Sequence, residues 1–95
     1  EPNLASKGIK TVFLTSGRAV SYAETLLGII EHYKIGTIIG EPSAGTNGNI
    51  NWIALPGGYM WSWTGMKVLK HDGSTLHGIG IHPTITVKRT ITGVI

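Results

Sequence analysis

The sequence contains no cysteine and little charge: Asp, Glu, Lys and Arg together make up 14% of its 95 residues. The lack of cysteine excludes disulfides and thiolate metal sites, and it leaves the redox compartment open. The charged fraction lies well below the usual value of about a quarter, which predicts that further polypeptide or a partner subunit covers part of the surface. No apolar run approaches the length of a membrane-spanning helix.

The start of the chain also lacks an initiator methionine, a basic leader and an apolar signal segment. We expect that residues preceding Glu1 have been removed, so the sequence does not reveal how the protein is targeted. The net charge is +3, and the basic residues are scattered along the chain. Because nucleic-acid binding favours a basic stripe with interleaved aromatic residues, we expect no nucleic-acid partner.

The first half of the sequence has the pattern of a strand, a helix and a second strand. β-Branched and aromatic residues at 9–14 and 35–39 predict two buried strands. The helix between them is expected to end near Tyr33 and Lys34. Its apolar positions recur at helical spacing; they are Ala23, Leu26, Leu27, Ile30 and Tyr33. This order within about thirty residues predicts a βαβ unit with parallel strands and a right-handed crossover.

The second half of the sequence is β-like and broken by turns. Its expected elements are a hairpin of residues 50–55 and 59–64 around Pro56-Gly57-Gly58, a short strand at 66–70, a turn at 71–74, an irregular glycine-rich segment at 76–83 and an edge strand at 85–88. Trp61 and Trp63 alternate along one expected strand and therefore share a face. That pattern favours a core or subunit contact, with a peptide- or sugar-stacking surface as the alternative.

Ser21 stands at the predicted junction between the first strand and the helix. The N–H groups at a helix start are free to bind an anion, as the oxyanion formed by a serine nucleophile requires. The segment from Ser21 to Glu24 also matches the capping box S-x-x-E, in which the two side chains bond to each other's backbone N–H groups. A cap is the more common role for this local pattern, and both interpretations stay open.

A loop rich in Gly, Pro and Asn, residues 40–49, follows the second predicted strand. It leaves the sheet at the same edge as the Ser21 segment, and loops at the carboxyl ends of parallel strands are where α/β sites assemble. The loop lacks the G-x-x-x-x-G-K-[ST] phosphate-binding pattern, so we expect a connector there. The histidines lack zinc-site spacing, so we expect no metal site. His77 is open to a role as a base, although a surface imidazole is the more common case.

Five segments together resemble the C-terminal processing (tail-specific) serine peptidase family. They are residues 12–15, 19–24, 38–45, 55–58 and 78–83, in the order and spacing of that family. The resemblance covers residues 9–88 and implies an α/β fold with a ClpP/crotonase-like core. It makes residues 1–95 the C-terminal part of a catalytic domain, a βαβ unit followed by a hairpin and short strands.

The resemblance also implies a chemistry. It places the nucleophile at Ser21, an oxyanion donor at the N–H of Tyr22, and Thr46 and His77 beside the cleft, with no cofactor. Many members use a Ser-Lys dyad, but Thr46 occupies the lysine position here, and a threonine hydroxyl is no base near neutral pH. A tricorn-like branch takes its histidine and a helper serine from an earlier part of the chain, and its acidic residue would fall at His77.

The general base is therefore expected outside this chain. The alternative is a catalytically degenerate peptidase fold that binds peptide tails or an apolar ligand. The implied partners are a polypeptide substrate and the remainder of the parent chain, which in this family often carries a PDZ module. The resemblance leaves oligomerisation open, and it implies an extracytoplasmic location, either periplasmic, secreted or membrane-associated.

Overall fold

The computed structural model describes residues 10–94, which form a three-stranded sheet, one helix and a separate two-stranded hairpin. The elements are β1 (Val12–Thr15), α1 (Tyr22–Tyr33), β2 (Thr37–Gly40), β3 (Ile50–Leu55), β4 (Tyr59–Thr64), β5 (Ile85–Thr86) and a final 3-10 turn (Thr92–Val94). The mixed α/β class predicted from the sequence is confirmed. Ile9, the first residue of the predicted first strand, lies outside the described residues.

The βαβ unit forms as predicted. β1 and β2 pair in parallel from Val12 opposite Thr37 to Thr15 opposite Gly40, and α1 connects them. β5 pairs in parallel with the other side of β2, so the predicted edge strand is confirmed but is only two residues long. The carboxyl ends of β1 and β2 therefore lie at one edge of the sheet, where the loops that follow them begin.

The core lies between α1, β2 and the segment before β5. The buried apolar side chains of the described residues are Leu27, Ile30, Ile38, Leu76 and Ile81. The helix ends at Tyr33 as predicted, because Lys34 adopts the left-handed conformation at φ 51°. The buried face of α1 is narrower than the spacing of its apolar residues predicts, because Leu26 and Tyr33 remain exposed. A sheet of three short strands covers only a thin stripe of the helix.

Burial of the first strand is a prediction that the structure contradicts. Val12 is 52% exposed and Leu14 is 81% exposed. Successive side chains of a strand point to opposite faces, and within residues 10–94 nothing packs on the face that carries Val12 and Leu14. The central strand β2 is better covered, and its Ile38 is 2% exposed.

The hairpin has the predicted bounds, and its strands pair antiparallel from Ile50 opposite Thr64 to Leu55 opposite Tyr59. Trp61 and Trp63 lie on the same face of the hairpin and are 64% and 49% exposed. The core contact predicted for them is therefore wrong for the described residues. The predicted strand at 66–70 is also wrong. It forms only an isolated bridge between Leu69 and Thr75, because no strand within residues 10–94 lies beside it to extend the pairing.

Candidate active site

Ser21 lies in a sharp turn between β1 and α1. Its backbone has φ 54° and ψ −120°, a combination outside the regions that residues with a Cβ normally occupy. Holding such a conformation costs on the order of 1–3 kcal/mol, and residues strained in this way cluster at functional sites. The Ser21 side chain is exposed, and its hydroxyl makes no capping hydrogen bond. The capping-box interpretation is therefore wrong, although Ser21 does occupy the N-cap position.

The N–H of Tyr22 is the first backbone donor of α1 and directly follows Ser21 in the chain. The next two N–H groups along the helix donate to backbone oxygens, Ala23 to Val20 and Glu24 to Ser21. Within residues 10–94 the Tyr22 N–H has no acceptor. Orphan donors of this kind belong to the first turn of any α-helix, where the helix dipole also favours negative charge. The backbone N–H predicted as an oxyanion donor therefore makes no hydrogen bond within residues 10–94, and its role stays a prediction.

Glu24 points away from the Ser21 main chain and into the protein. It is 1% exposed. One carboxylate oxygen accepts hydrogen bonds from the Ser43 hydroxyl at 2.6 Å and the Gly45 N–H at 2.5 Å. The other accepts the Thr46 N–H at 2.9 Å. These three donors satisfy a buried carboxylate, and they explain why Glu24 does not complete the capping box.

The loop of residues 43–47, hereafter the 43–47 loop, runs alongside the Ser21 turn. The N–H of Ala44 donates to the carbonyl of Ala19 at 3.0 Å. Further along, the Asn47 side-chain amide donates to the Thr25 hydroxyl at 2.9 Å. The loop is therefore hydrogen-bonded on both sides of Ser21. The prediction that these two segments meet at the carboxyl edge of the sheet is confirmed.

A third segment fixes the far side of the 43–47 loop. Ser43 and Ile81 exchange backbone and side-chain hydrogen bonds, with the Ile81 N–H donating to the Ser43 hydroxyl at 2.8 Å. The Gly78 N–H donates to the Gly45 carbonyl at 2.9 Å. Gly45 has φ 72°, and a Cβ there would lie 2.8 Å from the Gly78 nitrogen. Only glycine fits this crossing without displacing the backbone.

Thr46 belongs to this loop, and His77 contacts the loop from a later segment of the chain. The Thr46 residue is exposed, and its carbonyl accepts the Thr64 hydroxyl at 3.3 Å. His77 is half-buried, and its Nε2 lies 2.8 Å from the Asn47 carbonyl. A carbonyl only accepts, so Nε2 carries the proton in this contact. The Val68 N–H, 3.5 Å from the same nitrogen, is too distant to compete. His77 is thus partly buried and bonded to the loop, and its place beside a cleft stays a prediction.

The remaining histidines lie at the other end of the helix. His32 is exposed in the last turn of α1 and stacks on His71, with ring centroids 4.7 Å apart. His82 lines a cavity together with Lys34, beyond that helix end. An α-helix of 12 residues is about 18 Å long. Among residues 10–94, His77 is thus the imidazole associated with the 43–47 loop.

Residues 10–94 contain no group of three or more His, Cys, Asp or Glu side chains arranged to hold a metal ion. In the same residues, no helix has the length and apolar character needed to cross a membrane.

The described residues thus combine a parallel sheet, a serine in a strained turn before a helix, and a glycine-rich loop hydrogen-bonded along that turn. The family model of peptidase family S41 matches residues 2–87. The chain therefore belongs to peptidase family S41, and the family resemblance drawn from the sequence is confirmed. Among curated proteins, none matches the chain.

Solved structures share the fold. A putative peptidase from Parabacteroides merdae has a TM-score of 0.75 and 20% identity over 90% of this chain and 27% of its own. Mature CPAF complexed with lactacystin has a TM-score of 0.72 and 23% identity over 79% of this chain and 15% of its own. The photosystem II D1 C-terminal processing protease has a TM-score of 0.63 and 25% identity over 83% of this chain and 20% of its own. The chain thus spans between 15% and 27% of the length of these proteins.

Proposed function

We propose that this chain supplies the nucleophile of a serine peptidase. Ser21 attacks the scissile carbonyl of a polypeptide and forms an acyl-enzyme, which water then hydrolyses. The observation that carries the proposal is the Ser21 turn, where a strained backbone presents an exposed hydroxyl that caps nothing. Strain at one residue persists only where the surroundings enforce it, and the 43–47 loop does so on both sides of Ser21.

The Tyr22 N–H is the proposed donor to the oxyanion of the tetrahedral intermediate. One preorganised donor of this kind lowers the barrier by about 3–4 kcal/mol. The 43–47 loop, which contains Thr46, forms one wall of the proposed cleft, and His77 is bonded to that loop through the Asn47 carbonyl. Family resemblance assigns a second donor to an earlier glycine-containing segment of the parent protein.

The proton of Ser21 passes, in this proposal, to a base outside the described residues. Thr46 occupies the position of the dyad lysine and has no basic group. The Nε2 of His77 is engaged with the Asn47 carbonyl. The histidines at the far end of α1 are separated from Ser21 by roughly the length of the helix.

The proposed substrates are polypeptides cleaved near their C-termini, in an extracytoplasmic compartment. Membership of peptidase family S41 and the fold shared with the D1 C-terminal processing protease support this proposal. The chain spans a minor part of such proteins, so the activity belongs to the full-length protein. The remainder of that protein is proposed to supply the base and a peptide-binding module.

A second candidate function is a peptidase fold that binds peptide tails or an apolar ligand without cleaving them. The observation that favours it is that Thr46 occupies the position of the usual base in the 43–47 loop. The two candidates differ in one property. A peptidase has an activated Ser21, whereas a binding module does not.

A serine-directed fluorophosphonate probe applied to the full-length protein separates the candidates. We expect the probe to modify Ser21, and Ser21→Ala to abolish the modification, while Ser62→Ala, on the exposed face of the hairpin, leaves it unchanged. Mass spectrometry of the digested protein identifies the modified residue. No modification of Ser21, combined with measurable peptide binding, would support the binding module instead.

A further inference from the structure

We infer that Glu24 is a positioning residue for Ser21. Its carboxylate fixes the 43–47 loop against the Ser21 turn and so keeps the hydroxyl aimed into the cleft. This inference rests on the proposed peptidase function. It assigns to Glu24 a role that its place in a capping-box pattern does not suggest.

The carboxylate joins three separate stretches of the chain. It stands on the first turn of α1, three residues after Ser21. It accepts from Ser43, Gly45 and Thr46 of the 43–47 loop. Through the Ser43 hydroxyl it also reaches the Ile81 N–H of the segment before β5. A change at Glu24 therefore alters the helix start and the proposed cleft wall together.

Burial makes this arrangement rigid. Glu24 is 1% exposed and Ser43 is 6% exposed, so water does not replace a lost partner. Hydrogen bonds to a buried charged group are short and strong, and leaving such a group unpaired is costly. The loop has few alternative places to bond, because Gly45 packs against the backbone of the 78–80 segment.

The geometry next to Ser21 explains why this rigidity acts on the nucleophile. Ala19 precedes Ser21 by two residues and accepts the Ala44 N–H, while Glu24 follows by three and accepts the neighbouring N–H of Gly45. The strained φ of Ser21 is thus clamped from both directions by one loop. Releasing one side allows the turn to relax toward a common backbone conformation.

The test is Glu24→Gln in the full-length protein. Glutamine has the same shape as glutamate. Its amide nitrogen, however, is a donor that faces a donor of the 43–47 loop, where the carboxylate oxygen accepted a hydrogen bond. We expect the rate of fluorophosphonate labelling at saturating probe to fall on the order of a hundredfold, as small misplacements of reacting groups do. The probe concentration that gives half the maximal rate should change little, because Glu24 is buried and does not reach the probe.

The control is a core variant of matched stability. Ile30 is buried on the same helix and faces the core far from Ser21. We compare Glu24→Gln with either Ile30→Val or Ile30→Ala. The variant chosen is the one whose Tm is closer to that of Glu24→Gln. If both variants lose labelling equally, Glu24 only stabilises the fold and the inference is overturned, while the proposed function stands. If the full-length protein without substitutions is not labelled at all, the proposed function is overturned, and the inference is overturned with it.

A milder variant covers the case in which Glu24→Gln does not fold. Ser43→Ala removes one of the three donors to Glu24 and keeps the other two. We expect a several-fold lower saturating labelling rate with the same half-saturating concentration. An unchanged rate in a folded Ser43→Ala protein would contradict the positioning role.

Discussion

At Ser21, conformational strain and an unbonded hydroxyl occur in the same residue. A serine that only began a helix would adopt an extended backbone and bond its oxygen to the N2 or N3 amide. Ser21 does neither, because the 43–47 loop draws Glu24 inward and holds the turn at φ 54°. The stability of the turn and the accessibility of the hydroxyl therefore have the same cause.

This arrangement predicts an unusual stability pattern for substitutions at Ser21. Ser21→Ala should leave the free energy of unfolding within about 0.5 kcal/mol, since no cap is lost. Ser21→Gly should raise it by about 1 kcal/mol, because glycine relieves the positive φ at a smaller entropic cost. Denaturant unfolding of the full-length variants measures both values. A loss of about 1 kcal/mol in Ser21→Ala would indicate a working cap instead.

Asp72 lies in the turn between the two residues of the isolated bridge, Leu69 and Thr75. Hydrogen bonds from the Ser74 side chain at 2.6 Å and the Ser74 N–H at 2.9 Å hold the pKa of Asp72 below its ordinary value. A lowered pKa in the folded state stabilises the protein above the unfolded-state pKa, and this contribution is lost as the pH falls through the folded-state pKa. Ser74→Ala should raise the Asp72 pKa, which NMR titration of the carboxyl carbon detects. An unchanged pKa would rule out the hydroxyl as its main cause.

Among the elements, those set by local sequence could be predicted and those set by distant contacts could not. The end of α1 near Tyr33 and the hairpin around Pro56-Gly57-Gly58 follow from turn chemistry and periodicity, and both are confirmed. The strand at 66–70 has suitable residues, but a strand exists only with a partner beside it. Pattern alone does not reveal whether that partner is present.

Some features of the candidate site could likewise be predicted from the sequence, and others could not. The meeting of Ser21 with the loop after β2 follows from the topology of parallel strands, and it is confirmed. The role of Glu24 depends on donors 19 to 22 residues away in the sequence. The local pattern favoured a cap for the same side chain. One available signal was its position three residues before Leu27, on the buried stripe of the helix.

The 43–47 loop crosses closely over the 78–80 segment, and we expect this crossing to make Gly45 sensitive to substitution. Gly45→Ala and Gly73→Ala both place a Cβ on a residue with positive φ, at 72° and 84°. At Gly73 that Cβ meets open space, so we expect a cost of about 1–2 kcal/mol. At Gly45 it meets three backbone nitrogens within 3 Å, which adds about 1–3 kcal/mol. Thermal unfolding of the two variants gives the difference, and equal costs would contradict the tight crossing.

For the molecule as a whole, the described residues are far from a closed globule. The radius of gyration is 16.5 Å, against about 12 Å for a compact chain of this length. Large apolar side chains are exposed on both faces of the hairpin, among them Trp52, Met60 and Trp61. Exposed apolar area on this scale belongs to an interaction surface. In our account the remainder of the full-length protein covers it.

The corresponding prediction compares residues 1–95 alone with the full-length protein. The isolated chain should bind an apolar dye such as ANS strongly and show no cooperative unfolding, because few side chains are buried. The full-length protein should bind little dye and unfold cooperatively. A cooperative transition with weak dye binding in the isolated chain would show that these residues form a complete domain.

Hydrolysis of a polypeptide by the full-length protein, with and without the Ser21 hydroxyl, tests whether Ser21 is the nucleophile. We predict that Ser21→Ala reduces hydrolysis to background while the free energy of unfolding stays within about 0.5 kcal/mol. Tyr22→Ala, which retains the backbone N–H, should keep most of the activity. Hydrolysis that survives in Ser21→Ala would contradict the account, because the acyl-enzyme would then have to form on another residue.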